Sequence, residues 1–245
     1  MNLKNKLRQI YNAQQFNPTL LGVLLNPFYF ARKGLFEEIK DLLPELNGTL
    51  LDIGCGSKPY QQYCSNINKY IGLELDTKNN RVQKKADYYY DGINFPFNDK
   101  EFDSILCNQV LEHVFNPEKF LSEINRVLKN GGKFVISVPF VWDEHEQPYD
   151  FARYSSFGLK HLFEKHGFEI ISTQKTCNDI RVIFQLINAY IFKCLQIKSF
   201  KIRFIFQTFL TAPFTALGII LNKILPKNND LYLDNVLLIR KVKDE

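Results

Sequence analysis

Residues 49–60 read TLLDIGCGSKPY. The apolar run Leu50-Leu51-Asp52-Ile53 breaks into Gly54-Cys55-Gly56, the pattern of a strand that ends in a turn. Glycine in such a turn supplies a positive φ and leaves no Cβ between the backbone and a ligand. A strand, a glycine-rich turn and then a helix, expected here over Pro59 to Asn66, is how α/β folds hold a nucleotide-like group.

Two kinds of group compete for such a turn. A dinucleotide fingerprint requires G-x-G-x-x-G with a pyrophosphate on the following helix N-terminus. Pro59 stands at the third glycine position, and Asp52 would repel a pyrophosphate. A carboxylate there suits a cationic ligand, and S-adenosylmethionine (SAM) carries both a sulfonium and an α-ammonium. LDIGCG resembles the first motif of the class I SAM-dependent methyltransferases of the type 11-like group. Further matches follow: the segment Asn108 to Val114 (NQVLEHV), the run RVLKNGG ending at Gly132 (Asn130 standing where proline is usual), and H-E-x-P-x-D-F-x-R-Y from His145 to Tyr154. The last resembles a subgroup associated with bacterial glycan or cell-surface pathways. The resemblance extends over about Leu50 to Ile171.

The resemblance implies S-adenosyl-L-methionine as cofactor and assigns its contacts. Gly54, Cys55 and Gly56 bring the backbone to it, and Asp52 helps hold its amino-acid end. Glu74 ends the second strand, Lys69 to Leu75, and binds the ribose hydroxyls; Asp76 is the second choice. Two vicinal hydroxyls suit the two oxygens of one carboxylate. Asp91 takes the adenine amino group, with Asp87 as alternative. Asn108 opens the segment that lines the sulfonium end. The acceptor side falls to the loop after the fifth strand. If the acceptor is a hydroxyl, a base must remove its proton. His145 is the first candidate because an imidazole titrates near neutrality, Asp150 is the second, and Tyr149, Arg153 and Tyr154 orient the acceptor. His113 is a further base candidate, against the alternative that Glu112 and His113 orient the next helix. Asp150 and Arg153 have an equally plain reading as an ion pair. No metal ligand set is expected.

The remaining elements alternate β and α, which predicts a parallel doubly wound sheet. A helix from Pro117 to Lys129 has Asn116 as its cap and Asn130-Gly131-Gly132 as its stop. Ser155-Ser156 caps a second helix that Gly167 closes. With the family's order, the expectation is a Rossmann-like seven-stranded sheet, 3-2-1-4-5-7-6. About fifty residues separate strand six, Phe168 to Thr173, from strand seven, Leu231 to Lys241. The domains are then an N-terminal helical cover (1–47), a SAM-binding catalytic domain (48–179), an apolar basic helical insert (180–229) and the final strand (230–245).

Composition places the chain among ordinary globular proteins, with 45% hydrophobic and 23% charged residues. Five scattered cysteines without a C-x-x-C pair argue against a disulfide framework or a zinc site. No signal peptide is read at the N-terminus, and the expected location is cytoplasmic or peripheral at the inner face of the membrane. Residues 1–35 and 180–229 carry twelve basic residues and no acid, leaving −7 for the rest of a chain whose net charge is +5. Basic, apolar flanks around an acidic body point to an anionic surface. Phe204 to Leu221 holds no charge, but Gln207, Thr211 and Thr215 form a polar stripe, and Pro213 and Gly218 interrupt it. A single span would strand the last β-strand across a membrane. The insert is therefore read as a helical pair lying on a membrane interface or covering a lipid-bearing substrate, against a lid or homodimer interface. The expected acceptor is a small molecule, glycan or lipid-linked compound. A nucleic-acid methyltransferase gripping phosphates with its basic flanks is the rival reading, disfavoured because those residues are interleaved with aliphatic runs. A non-catalytic, membrane-docking module is the third.

Overall fold

The computed structural model describes residues 3–83, 85–195 and 197–244. The chain begins with α1 (Leu3–Phe16), α2 (Gly22–Leu25) and α3 (Tyr29–Leu42), then enters β1 (Gly48–Ile53) and β2 (Ile67–Leu75). After α4 (Lys78–Gln83) come β3 (Tyr88–Tyr90), β4 (Phe102–Asn108), α5 (Pro117–Val127), β5 (Leu128–Pro139), α6 (Ser156–Lys165) and β6 (Phe168–Lys175). Helices α7 (Arg181–Cys194) and α8 (Phe200–Leu221) precede β7 (Asp234–Lys241). The seven strands form one mixed sheet in the order β3-β2-β1-β4-β5-β7-β6, as the sequence predicts.

The chain divides into two compact units. One comprises Glu38–Phe140, Glu144–Gln174 and Asn235–Glu245. Its core is the sheet. Leu51, Ile53, Phe102, Ile105, Cys107, Phe134, Ile136 and Val138 are all fully buried. Central strands of a parallel sheet are covered on both faces and so read as nearly continuous apolar runs. Strand β1 pairs in parallel with β2 and β4, and β4 with β5, so the loops after β1, β4 and β5 leave one edge. The other unit comprises Met1–Glu37, Val141–Asp143 and Lys175–Asp234, with a separate core around Tyr29, Phe30, Val182, Phe184 and Leu233.

Several local expectations change. Pro59 to Asn66 forms no α-helix, only a 3-10 turn at Gln61–Tyr63. The eight residues must bury Tyr60 and reach β2 at Ile67, which leaves no room for helical turns. Helix α5 has the expected cap, Asn116 accepting from the Lys119 N–H at 3.1 Å. It stops at Val127, however, and β5 runs through Asn130-Gly131-Gly132, where Gly131 has φ +76°. Its terminal carbonyls need other donors. The buried Lys241 of β7 provides one, its Nζ donating to the carbonyls of Asn125 at 2.7 Å and Leu128 at 3.1 Å. Substituting Lys241→Met should destabilise the fold by about 2 kcal/mol, because two buried acceptors lose their donor. A fall of roughly 4–8 °C in Tm follows at this chain length. Asp244→Asn removes the exposed carboxylate that Lys241 and Lys100 share, and should shift the circular-dichroism melt by far less. Equal melts for the parent and Lys241→Met would reject the capping role.

Candidate active site

The first-strand turn has the geometry its glycines suggest. Gly54 sits at φ +68° and Gly56 at φ +49°, where L side chains are strained. A Cβ on Gly54 would collide with the Val110 side chain of the loop after β4. A Cβ on Gly56 would meet nothing within 4 Å, so the backbone there faces open space. The Gly54 and Cys55 N–H groups both donate to the Leu73 carbonyl, at 2.9 and 3.3 Å, locking the turn onto β2.

Glu74 stands beside this turn. Its Oε1 accepts from the Gly56 N–H at 2.7 Å and its Oε2 from Asn80 Nδ2 at 3.0 Å. Asp76 is exposed and held in a bidentate pair with Arg81, both contacts at 2.7 Å, which depresses its carboxyl. Asp52 lies inside the sheet. It is 3% exposed, and its Oδ2 accepts from Tyr70 Oη at 2.6 Å. Burial raises its carboxyl to about 7, against the Tyr70 hydrogen bond and aided by the nearby Glu74. Cys55 is buried, and desolvation pushes its thiol to about 12. Asp91 is exposed and closes its own turn, accepting from the Ile93 and Asn94 N–H groups at 2.8 Å each. Asp87 instead ties Lys58 to the Gly72 N–H. Asn108 accepts from Ser137 Oγ at 2.6 Å, across the paired ends of β4 and β5.

The loops after β4 and β5 meet. The Phe151 and Ala152 N–H groups donate to the Glu112 carbonyl, at 2.8 and 3.3 Å. This joins the chain after β5 to the 3-10 turn Leu111–His113. His113 and His145 thereby stack edge to face, ring centroids 4.8 Å apart. Arg153 clamps Asp150 through Nη1–Oδ1 at 2.6 Å and Nη2–Oδ2 at 2.7 Å, and Asp150 also accepts from the His145 N–H at 2.9 Å. The Arg153 hydrogen bonds hold the Asp150 carboxyl down at about 2. So low a carboxyl is a weak base at neutral pH and a strong orienting acceptor. Tyr149 is 64% exposed, and its carbonyl lies 2.6 Å from His113 Nδ1. Glu112 was legible only as a helix-orienting residue. The structure buries it completely, 3.8 Å from His113 Nε2. No sequence signal pairs residue 112 with residue 145.

A SAM molecule has three requirements that this edge can be tested against: backbone that admits it, an acceptor for its hydroxyls and no repelling cation. The open face at Gly56 and the Glu74 carboxylate beside it meet the first two. Of the nearby carboxylates Asp52 is enclosed in the sheet against Tyr70, which leaves Glu74 at the open face, and the cation beside the turn, Lys58, is neutralised by Asp87.

Comparison with known proteins agrees with this geometry. Residues 51–136 match the methyltransferase domain family. An uncharacterized protein of Methanocaldococcus jannaschii is 35% identical over 126 residues, 49% of this chain and 54% of that protein. The rat thiol S-methyltransferase TMT1B is 30% identical over 131 residues, 48% of this chain and 51% of that one. The chain spans about half the length of the curated relatives it matches. Among solved structures, a SAM-dependent methyltransferase from Mesorhizobium loti superimposes with a TM-score of 0.54 at 15% identity, over 84% of this chain and 97% of that one. That likeness is one of fold. The matched segment contains the glycine turn, Glu74 and the β4 loop, so the likeness to the methyltransferase domain family falls on the part of the chain that builds this edge of the sheet.

Proposed function

We propose that the protein transfers a methyl group from SAM to a small-molecule acceptor. The observation that carries this is the Gly54–Gly56 turn, open at Gly56 and flanked by the Glu74 carboxylate, within a methyltransferase domain. SAM supplies an electrophilic methyl on its sulfonium. The chain's own residues bind and position. Gly54 and Gly56 admit the cofactor, Glu74 accepts from its ribose hydroxyls, and Asp91 is the acceptor for its adenine amino group. Methyl transfer is in-line, so placing the two partners supplies much of the rate. For a hydroxyl acceptor, the proton is taken at the His113–His145 edge, where Asp150 orients His145. Titration of SAM into the full chain by calorimetry should show saturable one-to-one binding. Absence of binding would reject the function.

The acceptor we favour is lipid-linked, and the support is the inverted polarity of α7 and α8. These two helices pack together. Four of their polar residues point inward: Gln185, Asn188 and Thr215 are fully buried and Thr211 nearly so. Asn188 Nδ2 donates to Thr215 Oγ1 at 2.9 Å, and Gln185 Oε1 accepts from the Phe30 and Ala31 N–H groups at 3.0 and 3.2 Å, satisfying donors at the start of α3. The outer face of α8 carries Ile205, Phe206, Phe209, Leu217 and Ile220, all more than 40% exposed. Among the described residues, Phe204–Leu221 is also apolar and long enough to cross a membrane, with only 18% of it buried. The side chains of Lys4, Lys6, Arg8, Lys201, Arg203 and Gln207 lie outside the described ones. Lys198, Lys223 and Lys227 are exposed at the ends of this segment, and each basic residue near an anionic surface adds about 1 kcal/mol. The full chain should float with phosphatidylglycerol vesicles, and Phe206→Asp/Phe209→Asp should abolish flotation while SAM binding persists. Equal flotation of parent and variant would sink the membrane reading.

A further inference from the structure

We infer that Glu112, His113 and His145 form a binding site for one first-row divalent metal ion, held by a carboxylate and two imidazoles. One donor atom from each of the three lies within 4.8 Å of the others. Glu112 is fully buried and brings a carboxylate oxygen to 3.8 Å from His113 Nε2.

The tautomers follow from the outer contacts. A carbonyl can only accept, so the 2.6 Å contact with the Tyr149 carbonyl places the proton of a neutral His113 on Nδ1. Its Nε2 then carries the lone pair, on the side facing Glu112. His145 Nδ1 lies 3.3 Å from Asp150 Oδ2, and Arg153 fixes that carboxylate from behind. Arg153 Nη2 also lies 3.4 Å from this Nδ1, so the ring edge at Nδ1 is held by the Asp150–Arg153 pair, and Nε2 is the nitrogen left for a metal. Metal-bound histidines characteristically donate their other N–H to a carbonyl or a carboxylate, which sets ring orientation and raises ligand basicity. Here one imidazole rests on a backbone carbonyl and the other beside the Asp150–Arg153 pair. The two hydrogen bonds from Phe151 and Ala152 to the Glu112 carbonyl hold the three ligands in one place, although His145 is 32 residues beyond His113.

The donor set chooses the ion class. Two imidazoles and one carboxylate suit zinc, iron(II) or cobalt(II), whereas magnesium and calcium prefer oxygen donors. Bond lengths of about 2.0–2.2 Å set the donors about 3–4 Å apart. The cluster therefore closes by about one ångström on binding. Three protein ligands leave coordination open to an acceptor oxygen, and a metal-bound hydroxyl loses its proton much more readily than a free one. His145 then acts as a ligand; the ion lowers the pKa of the coordinated hydroxyl, whose proton passes to solvent water as the oxygen–methyl bond forms and the sulfonium–methyl bond breaks. This deepens the methyl-transfer reading of the same loops, but ion binding is measurable without cofactor or acceptor.

The test uses chelator-treated full chain, titrated with Zn2+ by calorimetry and with Co2+ by visible absorption, with SAM binding recorded on each sample. The expected result is one ion per chain and a cobalt d–d spectrum. His145→Ala and Glu112→Gln should each weaken binding by at least tenfold, and Asp150→Asn by about tenfold. Retained SAM binding shows that a variant is folded. No ion bound by the parent, or unchanged affinity in His145→Ala, overturns the site. Ion binding without SAM binding would reject the cofactor reading and leave the metal site standing.

Discussion

At pH 8, Asp52→Asn is expected to unfold at a higher temperature than the parent chain, and at pH 4 the two should be equal. Asp52 is the fourth residue of the decisive stretch, enclosed between β1 and β2 at 3% exposure with Tyr70 as its hydrogen-bond donor. Burial disfavours its charged form and raises its carboxyl to about 7, while in the unfolded chain it titrates near 3.9. The folded state therefore holds the proton more tightly. Its contribution to stability is complete below about pH 4 and declines as pH rises through about 7. A shift of this size corresponds to a cost on the order of 4 kcal/mol at pH 8. Asparagine keeps an oxygen for Tyr70 Oη and has no proton to lose, so the parent's decline between pH 6 and pH 8 should be absent from the variant, while the salt-bridged carboxyls such as Asp150 affect both chains alike. Urea unfolding at pH 4, 6 and 8 measures it. Parallel pH dependence in parent and variant would show that Asp52 ionises freely in the fold. A bound cationic cofactor works in the opposite direction, favouring the carboxylate, so saturation with SAM near pH 7 should release protons in the parent and not in Asp52→Asn.

Glu74→Ala should raise the Kd for SAM by about a hundredfold. Hydrogen bonds to a charged acceptor contribute about 1.5–3 kcal/mol each, and the ribose offers two hydroxyls to the same carboxylate. The alanine variant also removes the acceptor for the Gly56 N–H and for Asn80, so the turn itself loses a brace. Glu74→Gln keeps one acceptor oxygen and should lie between. Asp76→Ala separates the two acidic residues at the end of β2. Asp76 is occupied by Arg81 at the surface, and its loss should change Kd by less than threefold. Calorimetric titration of the three variants decides the matter. If Asp76→Ala is the more damaging, the ribose lies beyond Glu74 and the assignment at this strand end must move by two residues.

The legible parts of this protein are those in which a short stretch carries its own physical reason. Gly54-Cys55-Gly56 requires positive φ and no Cβ, and both are observed. Asn116-Pro117 and Ser155 are local caps, and each bonds the backbone within three residues. The alternation of apolar runs with amphipathic helices fixes a doubly wound sheet, and the long interval before the last strand marks the helical pair. Asn130-Gly131-Gly132 has the composition of a helix stop but lies within β5, and a distant donor serves the end of α5 instead. Lys241 caps α5 from a strand more than a hundred residues away, and nothing near residue 127 announces it.

The candidate site divides along the same line. The sequence by itself determined the fold class, the cofactor turn and the acidic end of β2, because each rests on the conformational or chemical demands of consecutive residues. Only the tertiary structure decided which groups act together. It placed Asp52 inside the sheet against Tyr70, occupied Asp76 with Arg81 and Asp150 with Arg153, and turned Thr211 and Thr215 of α8 inward to leave an apolar outer face. It also brought Glu112, His113 and His145 together. Those outcomes depend on burial and on contacts between segments far apart in the chain, and no local pattern of residues encodes either.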